Sequence, residues 1–265
     1  MNILVIAGHG GNPYDPGACG CGYKEAVETR RLATAVAPLL RAYGFNVTMY
    51  DQNNDAYKIL RNGGSLPLSG INYVLEIHLN AGVSDENGNG TTTGTEVLVH
   101  SAESGVTVEQ AICRRIAALG FKNRGVKRRS DLLVMNTVHR KGISHALIET
   151  CFIDDKDDMT LYKEKFYDIA HAIADGIAEG FGKAVNDMTE AQVKQIATQV
   201  ANDVVSKSRE LYETIDEVPD WARPTVEKLV RKGFIVGNDD QGSLGLTWDA
   251  MQVFVANDRA HLYGE

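Results

Sequence analysis

The amino-acid sequence predicts an α/β fold: an open, mostly parallel sheet with helices on both faces, followed by a linker helix and a small, mainly helical C-terminal module. Three features carry this reading. The short apolar run at residues 2–7 has the profile of a strand buried on both faces, and residues 73–79 and 145–151 read as further strands. Helical patterns separate these runs, and strands alternating with helices build parallel sheets. After Gly182 the apolar positions thin to a narrow stripe, which marks a change of architecture.

The elements follow in order. Residues 2–7 (NILVIA) form the first strand, and a Gly/Pro/Asn-rich loop spans 8–22. A helix is expected from Glu25 to about Tyr43, because Val36, Leu39, Leu40 and Tyr43 recur at helical spacing and Gly44 supplies a stop. Residues 46–50 read as a second strand and 55–62 as a short helix. The third strand, 73–79, runs into Asn80-Ala81-Gly82, and a polar loop at 84–94 (SDENGNGTTTG) leads to a strand at 95–100. A helix over 104–119, strands at 131–135 and 145–151 and one long helix over 157–183 complete a first domain, 1–183.

Residues 184–216 are expected to be a helical linker. Val193, Ile196, Val200, Val204 and Leu211 form a stripe narrow enough for a weak coiled-coil seam, so residues 189–213 are a candidate route to a homo-oligomer. The remainder, 217–265, holds a helix anchored by Trp221, a turn from Gly233 to Gly245 and a second helix from Thr247. So short a module buries little surface by itself.

Composition narrows the function classes. A length of 265 residues suits one full domain and a smaller piece, on a prior of roughly 100–200 residues per domain. The net charge of -8 disfavours phosphate contacts and anionic lipids, so neither nucleic acid nor membrane is an expected partner. Nothing approaches the ~20 apolar residues of a membrane span. The chain enters its first strand with no basic leader or cleavage site, which predicts synthesis in a cytoplasm without a signal peptide. Cys19, Cys21, Cys113 and Cys151 are read as reduced; Cys19 and Cys21 lack the CxxC spacing of most zinc and redox pairs.

The chemistry concentrates at strand ends. His9 follows the first strand, His78 sits at the end of the third, and Glu25 begins the first helix. Open α/β sheets place their active sites at this rim. Two histidines and one carboxylate, with the fourth position left to water, form the usual catalytic zinc arrangement. Glu149, near the end of the strand at 145–151, brings a second carboxylate to the rim, and a carboxylate is rarely buried without a partner. Simpler roles compete. His9 lies in a Gly-rich turn of the sort that also cradles phosphate, though without the GxGxxG or Walker spacing. Glu25 suits a helix N-terminus on dipole grounds alone, Glu28 is a rival ligand one turn on, and His78 fits a buried, satisfied histidine.

Several segments resemble a known family in the family's order: A-G-H-G-G (7–11), G-Y-K-E (22–25), E-I-H-L-N-A (76–81), G-T-E-V-L-V (94–99), N-R-G-V-K (123–127), L-L-V-M-N-T (132–137) and A-L-I-E-T-C-F-I-D-D (146–155). From Ile3 to about Gly182 the chain resembles the zinc-dependent N-acetylmuramoyl-L-alanine amidases (Amidase_3), of the phage endolysin type. The resemblance implies a phosphorylase/hydrolase-like fold, Zn2+ as cofactor, His9, Glu25 and His78 as its ligands, and Glu149 as general base and acid. The distance from Glu25 to Gly44 fits the family's helix better than counting from Glu28. Asn80 matches a residue expected to line the substrate groove. Cys151, where relatives often carry glycine, and the Gly/Asn/Thr-rich loop after Asn80 depart from the pattern.

The implied function is a peptidoglycan hydrolase that cleaves between N-acetylmuramic acid and L-alanine, a hydrolase of cell-wall catabolism and, in a phage, of cytolysis. Peptidoglycan is the expected partner, and the enzyme acts on the wall after synthesis in a bacterial or host cytoplasm. The alternatives are a zinc carboxypeptidase or peptidase acting on wall peptides, and a catalytically silent wall-binding protein. Residues 217–265 resemble a single degenerate S-layer-homology motif, which implies binding of wall polysaccharide or a role in assembly.

Overall fold

The computed structural model of the chain describes residues 1–11, 14–185, 212–220, 222–236 and 243–247, together with 250, 251, 254, 255 and 258. The chain divides into two compact units, Met1–Asp187 and Met188–Glu265.

The first unit is built on a six-stranded sheet. Its strands are β1 (Asn2–Ala7), β4 (Asn46–Met49), β5 (Tyr73–Asn80), β6 (Thr95–His100), β7 (Asn123–Arg129) and β8 (Ser144–Phe152), in the order β4-β1-β5-β8-β6-β7. All neighbours run parallel except β6 and β8, which are antiparallel. The two central strands β5 and β8 are buried along most of their length, with Glu76 and His145 among the residues that they enclose. A two-stranded hairpin, β2 (Cys19–Gly20) with β3 (Tyr23–Lys24), lies inside the loop that the sequence shows only as Gly/Pro-rich.

Both faces of the sheet are covered. Leu4 and Ile6 of β1 and Val74 of β5 pack with Tyr50, Ala56, Leu66, Val134 and Val138. These contacts seat α2 (Ala56–Arg61) and α4 (Leu133–His139) on one face. Tyr73, of opposite parity to Val74, turns to the other face. There its hydroxyl donates to Glu109 of α3 (Thr107–Ala117) at 2.8 Å, and its ring meets Phe181 just past α6 (Phe166–Gly180). The helix α1 (Glu25–Ala42) packs on α6 and on β1, β4 and β5, and buries Leu32, Val36, Leu39 and Leu40. Alternate residues of each strand thus reach different helices.

Two sequence expectations need correction. The run Leu132–Met135 is the start of α4, not a strand; Val134, Met135 and Val138 recur at helical spacing and are buried. The strand on that side is β7, whose sequence NRGVKRR is mostly exposed because it is an edge strand. The expected single helix over 157–183 is two, α5 (Lys156–Glu164) and α6, interrupted at Lys165 with φ -108° and ψ 18°. All four cysteines are free thiols; Cys151 is fully buried and burial pushes its pKa well up, so it packs rather than reacts.

The polar loop between β5 and β6 is stapled from the start of α5. Asp154 Oδ2 accepts the N–H groups of Gly82, Val83 and Ser84 at 2.8–3.0 Å. Asp155 caps α5 through Oδ1 and takes the Thr93 N–H and hydroxyl on Oδ2. Asp157 holds Asn89 and Gly90, and Asp158 holds Gly94 and Phe152. Four carboxylates in five residues therefore fix a loop that has little apolar anchorage of its own.

In the second unit, a 3-10 turn at Ile215–Glu217 carries a capping box between Thr214 and Glu217, and α7 (Arg223–Arg231) starts with proline in its first turn. Val218, Ala222, Val226, Leu244, Leu246, Met251 and Val255 form its small core. Thr247 Oγ1 accepts from Ala250 N at 3.3 Å, as expected for a helix starting there. Trp221 and residues 189–211 of the proposed linker and seam lie outside the described residues. Among the described residues, no helix is long and apolar enough to cross a membrane.

Replacing Asp154 with alanine orphans three N–H donors, at a cost of roughly 1–3 kcal/mol. Hydrogen exchange of Gly82, Val83 and Ser84 should accelerate while β5 stays protected. Unchanged exchange at those amides would show that the staple is not needed.

Candidate metal centre

His9, Glu25 and His78 come from three elements and meet at the carboxyl end of the sheet. Their donor atoms all lie within 4.8 Å of one another. Glu25 is the hub. Its Oε2 is 3.2 Å from His9 Nε2, and its Oε1 is 2.9 Å from His78 Nδ1. Backbone N–H groups of Ala18 and Leu79 donate to the same two oxygens at 2.9 and 3.0 Å, which fixes the carboxylate. The two imidazole rings meet edge to face, 5.0 Å apart.

Local sequence makes this convergence possible. His9 adopts a left-handed backbone, φ +61°, which costs on the order of 1–3 kcal/mol in a non-glycine residue. Arg30 offsets that strain by donating to the carbonyls of Gly8, His9 and Gln52 at 3.1, 2.8 and 2.8 Å. Two close approaches demand glycine. A Cβ on Gly8 would stand 2.3 Å from His78 Cε1, and one on Gly17 would stand 2.7 Å from both Glu25 Oε2 and His9 Cδ2.

The remaining ring nitrogens are also held. His9 Nδ1 lies 3.3 Å from Asp15 Oδ2, and His78 Nε2 lies 3.2 Å from Glu76 Oε1. Each imidazole thus keeps one nitrogen toward Glu25 and gives the other to a carboxylate, the outer support that orients metal-bound histidines. Burial acts to lower the His9 and His78 pKa values, but the hydrogen bonds and charges of Glu25, and for His78 of Glu76, raise both. Burial acts to raise Glu25, yet hydrogen bonds from His78 and His9 hold it well below the usual carboxylate range.

Glu149 is the register partner of His78 on β8, and Glu96 of β6 is the register partner of Glu149. The three side chains form one row across the sheet. Glu149 Oε2 is sealed from solvent and has no hydrogen-bond partner among the described residues. Burial raises its pKa to about 7; His78 opposes this, while Glu25, Glu96 and Glu76 add to it. Glu96 is held by Arg124 Nε at 2.8 Å and by Asn80 Nδ2 at 3.2 Å. Asn80 therefore lies beside the row, engaged with Glu96. Glu28 stands apart, paired with Arg31 at 2.7 Å.

A cavity of about 500 Å³ opens beside the cluster, bounded by His9, Glu76 and His78 and, opposite them, by Tyr57, Arg61 and Leu132. Two imidazoles, a fixed carboxylate and an acidic surplus around an orphaned carboxylate oxygen suit a divalent cation. A second acidic group, Asp85, Asp155 and Asp157, also clusters. Each of the three accepts an N–H of the stapled loop through one oxygen, while Asp85 Oδ2 is buried without a hydrogen-bond partner among the described residues.

The sequence singles out His9, Glu25, His78 and Glu149, which the structure brings together, but not Asp15, Arg30, Glu76, Glu96 or His145. One available signal was Glu76 itself. A carboxylate inside a buried strand needs a partner, the same argument that singles out Glu149.

Comparison with known proteins places this geometry. The family model described as N-acetylmuramoyl-L-alanine amidase matches residues 3–179. The chain is 31% identical over 215 residues to the probable autolysin PH of Staphylococcus aureus (strain NCTC 8325 / PS 47), covering 76% of this chain and 42% of that protein. It is 28% identical to the N-acetylmuramoyl-L-alanine amidase LytC of Bacillus subtilis (strain 168), covering 66% of this chain and 34% of that one. The chain thus spans well under two thirds of the length of these curated relatives. Among solved structures, the catalytic domain of the CD27L endolysin targeting Clostridia Difficile aligns with a TM-score of 0.56 at 28% identity, covering 70% of this chain and 99% of that one.

The raised imidazole pKa values give a sign for cation binding. Protons held on His9 and His78 must leave when a cation takes their nitrogens, so affinity should rise with pH through neutrality. Titration calorimetry at pH 7 in two buffers of different ionisation heat should show net proton release. Affinity independent of pH and no proton release would contradict the ligand assignment.

Proposed function

Because the chain belongs to the N-acetylmuramoyl-L-alanine amidase family, we propose that it hydrolyses the amide bond between N-acetylmuramic acid and L-alanine in peptidoglycan, with zinc held by His9, Glu25 and His78. The observation that carries the reading is the meeting of His9 Nε2, Glu25 and His78 Nδ1, with Glu149 in the adjacent register position. Two imidazoles and one carboxylate form the donor set of catalytic zinc, which leaves a position for water. When bound, zinc supplies a Lewis acid that acidifies water and polarises a carbonyl.

The protein's own groups then do the following work. Glu149, poised near neutrality and with no hydrogen-bond partner at Oε2 among the described residues, takes a proton from the attacking water and returns it to the departing L-alanine amine. Asp15 and Glu76 hold the imidazoles, and Glu25 is fixed by two backbone donors. Asn80 and the cavity beyond His78 serve the substrate groove.

Likeness to the CD27L endolysin catalytic domain favours a phage or prophage endolysin, whereas likeness to the probable autolysin PH favours a bacterial autolysin; both act on the same bond in this proposal. A peptidase using the same site would release amino acids instead. Residues 217–265 are assigned to wall-polysaccharide binding or assembly, on their likeness to one S-layer-homology motif. The segment 189–213 is assigned to linking or self-association.

Purified walls digested by the full chain should yield new amino-terminal L-alanine that a chelator abolishes. Glu149→Gln should lower that rate roughly 10²–10⁴-fold while bound zinc is retained. Free amino acids in place of sugar-linked products, or wild-type release by Glu149→Gln, would overturn the proposal.

A further inference from the structure

We propose that Glu76 and His145 form a positioning pair that sets the tautomer and ring angle of His78, and through them the zinc affinity of the site; the inference rests on His9, Glu25 and His78 being the metal ligands. Glu76 is 5% exposed and His145 1% exposed, two of the few ionisable groups inside the central strands. Glu76 stands opposite Leu147 on β8, and His145 stands two residues before Leu147, opposite Val74. Both side chains therefore project to the same face of the sheet as His78, with Val74 and Leu147 as apolar neighbours. Polar groups are not kept in such surroundings for solvation.

The geometry is directional. His145 Nε2 lies 2.8 Å from Glu76 Oε2, and His78 Nε2 lies 3.2 Å from Glu76 Oε1. His145 Nδ1 is buried with no partner among the described residues. A lone pair left unpaired at Nδ1 is less costly than an orphaned N–H, so the geometry puts an N–H of His145 at Nε2, facing Glu76. That proton is donated to Oε2, leaving Oε1 to accept from His78. When a cation takes Nδ1, the proton that stays on His78 is the one on Nε2, which Glu76 Oε1 accepts. Without His145 the carboxylate would be free to turn, because its terminal torsion is broad. Without Glu76, Glu25 draws the His78 proton to Nδ1, the nitrogen that the cation needs.

A purely structural pair, tying β5 to β8, predicts a different result. In the full chain, zinc affinity is read by competition with a chromophoric chelator, and folding stability is read separately by denaturant. Glu76→Gln should weaken zinc binding about 10- to 100-fold. His145→Leu should weaken it in the same direction, and His145→Gln, whose amide nitrogen reaches the place of Nε2, should recover most of the loss. Tyr73→Phe breaks a buried hydrogen bond elsewhere on β5 and should lower stability with affinity unchanged. If Glu76→Gln fails to fold, the two His145 variants decide. Wild-type affinity in Glu76→Gln and His145→Leu, with only stability lowered, would overturn the proposal while sparing the metal site. Failure of the wild type to bind zinc, or binding by His78→Ala equal to wild type, would remove the metal assignment itself.

Discussion

One buried carboxylate has to serve two imidazoles that arrive from neighbouring strands, and much of the first unit is arranged around that demand. Glu25 can reach both only because α1 begins at the rim where β1 and β5 end. The approach is so close that Gly8 and Gly17 have no room for a side chain, and His9 must take a left-handed backbone. Arg30, one turn into α1, then ties the carbonyls of that turn down. Helix, turn and strand are therefore a single device, and a change at any of them reaches the imidazoles.

Charge makes the device purposeful. Asp15, Glu25, Glu76, Glu96 and Glu149 gather around two histidines, with Arg124 the fixed cation that pairs with one of them. The histidines hold Glu25 and Glu76 ionised against the burial that disfavours their charge, Glu76 at about 2. Glu149 Oε2 has no such partner among the described residues, and burial, to which the neighbouring carboxylates add, raises its pKa to about 7. A cation held by the imidazoles would favour its ionised form.

Much of this was legible in the sequence. The apolar run of β1 and the alternation of strand and helix patterns announced a buried sheet, and the polar residues placed at strand ends stood out against them. His9, His78 and Glu149 drew notice because open α/β folds place their sites at strand ends; the family resemblance supplied the roles expected of them and chose Glu25 over Glu28. Glu76 and His145 stayed hidden because they lie within the strands, where a polar residue has meaning only once its neighbour on the adjacent strand is known. The edge strand β7 was passed over because exposure removes the apolar signal, and the apolar start of α4 was mistaken for it. The break at Lys165 had no glycine or proline to mark it. The loop after Asn80 read as unstructured polar sequence, since its order comes from four aspartates far along the chain.

The most direct test of the central claim is X-ray absorption at the zinc edge of the metal-loaded protein. Two imidazole nitrogens and oxygen donors at about 2.0–2.2 Å are the expected first shell. A first shell containing sulfur at about 2.3 Å, which would bring in Cys19 or Cys21, or one lacking imidazole, would contradict the site built on Glu25.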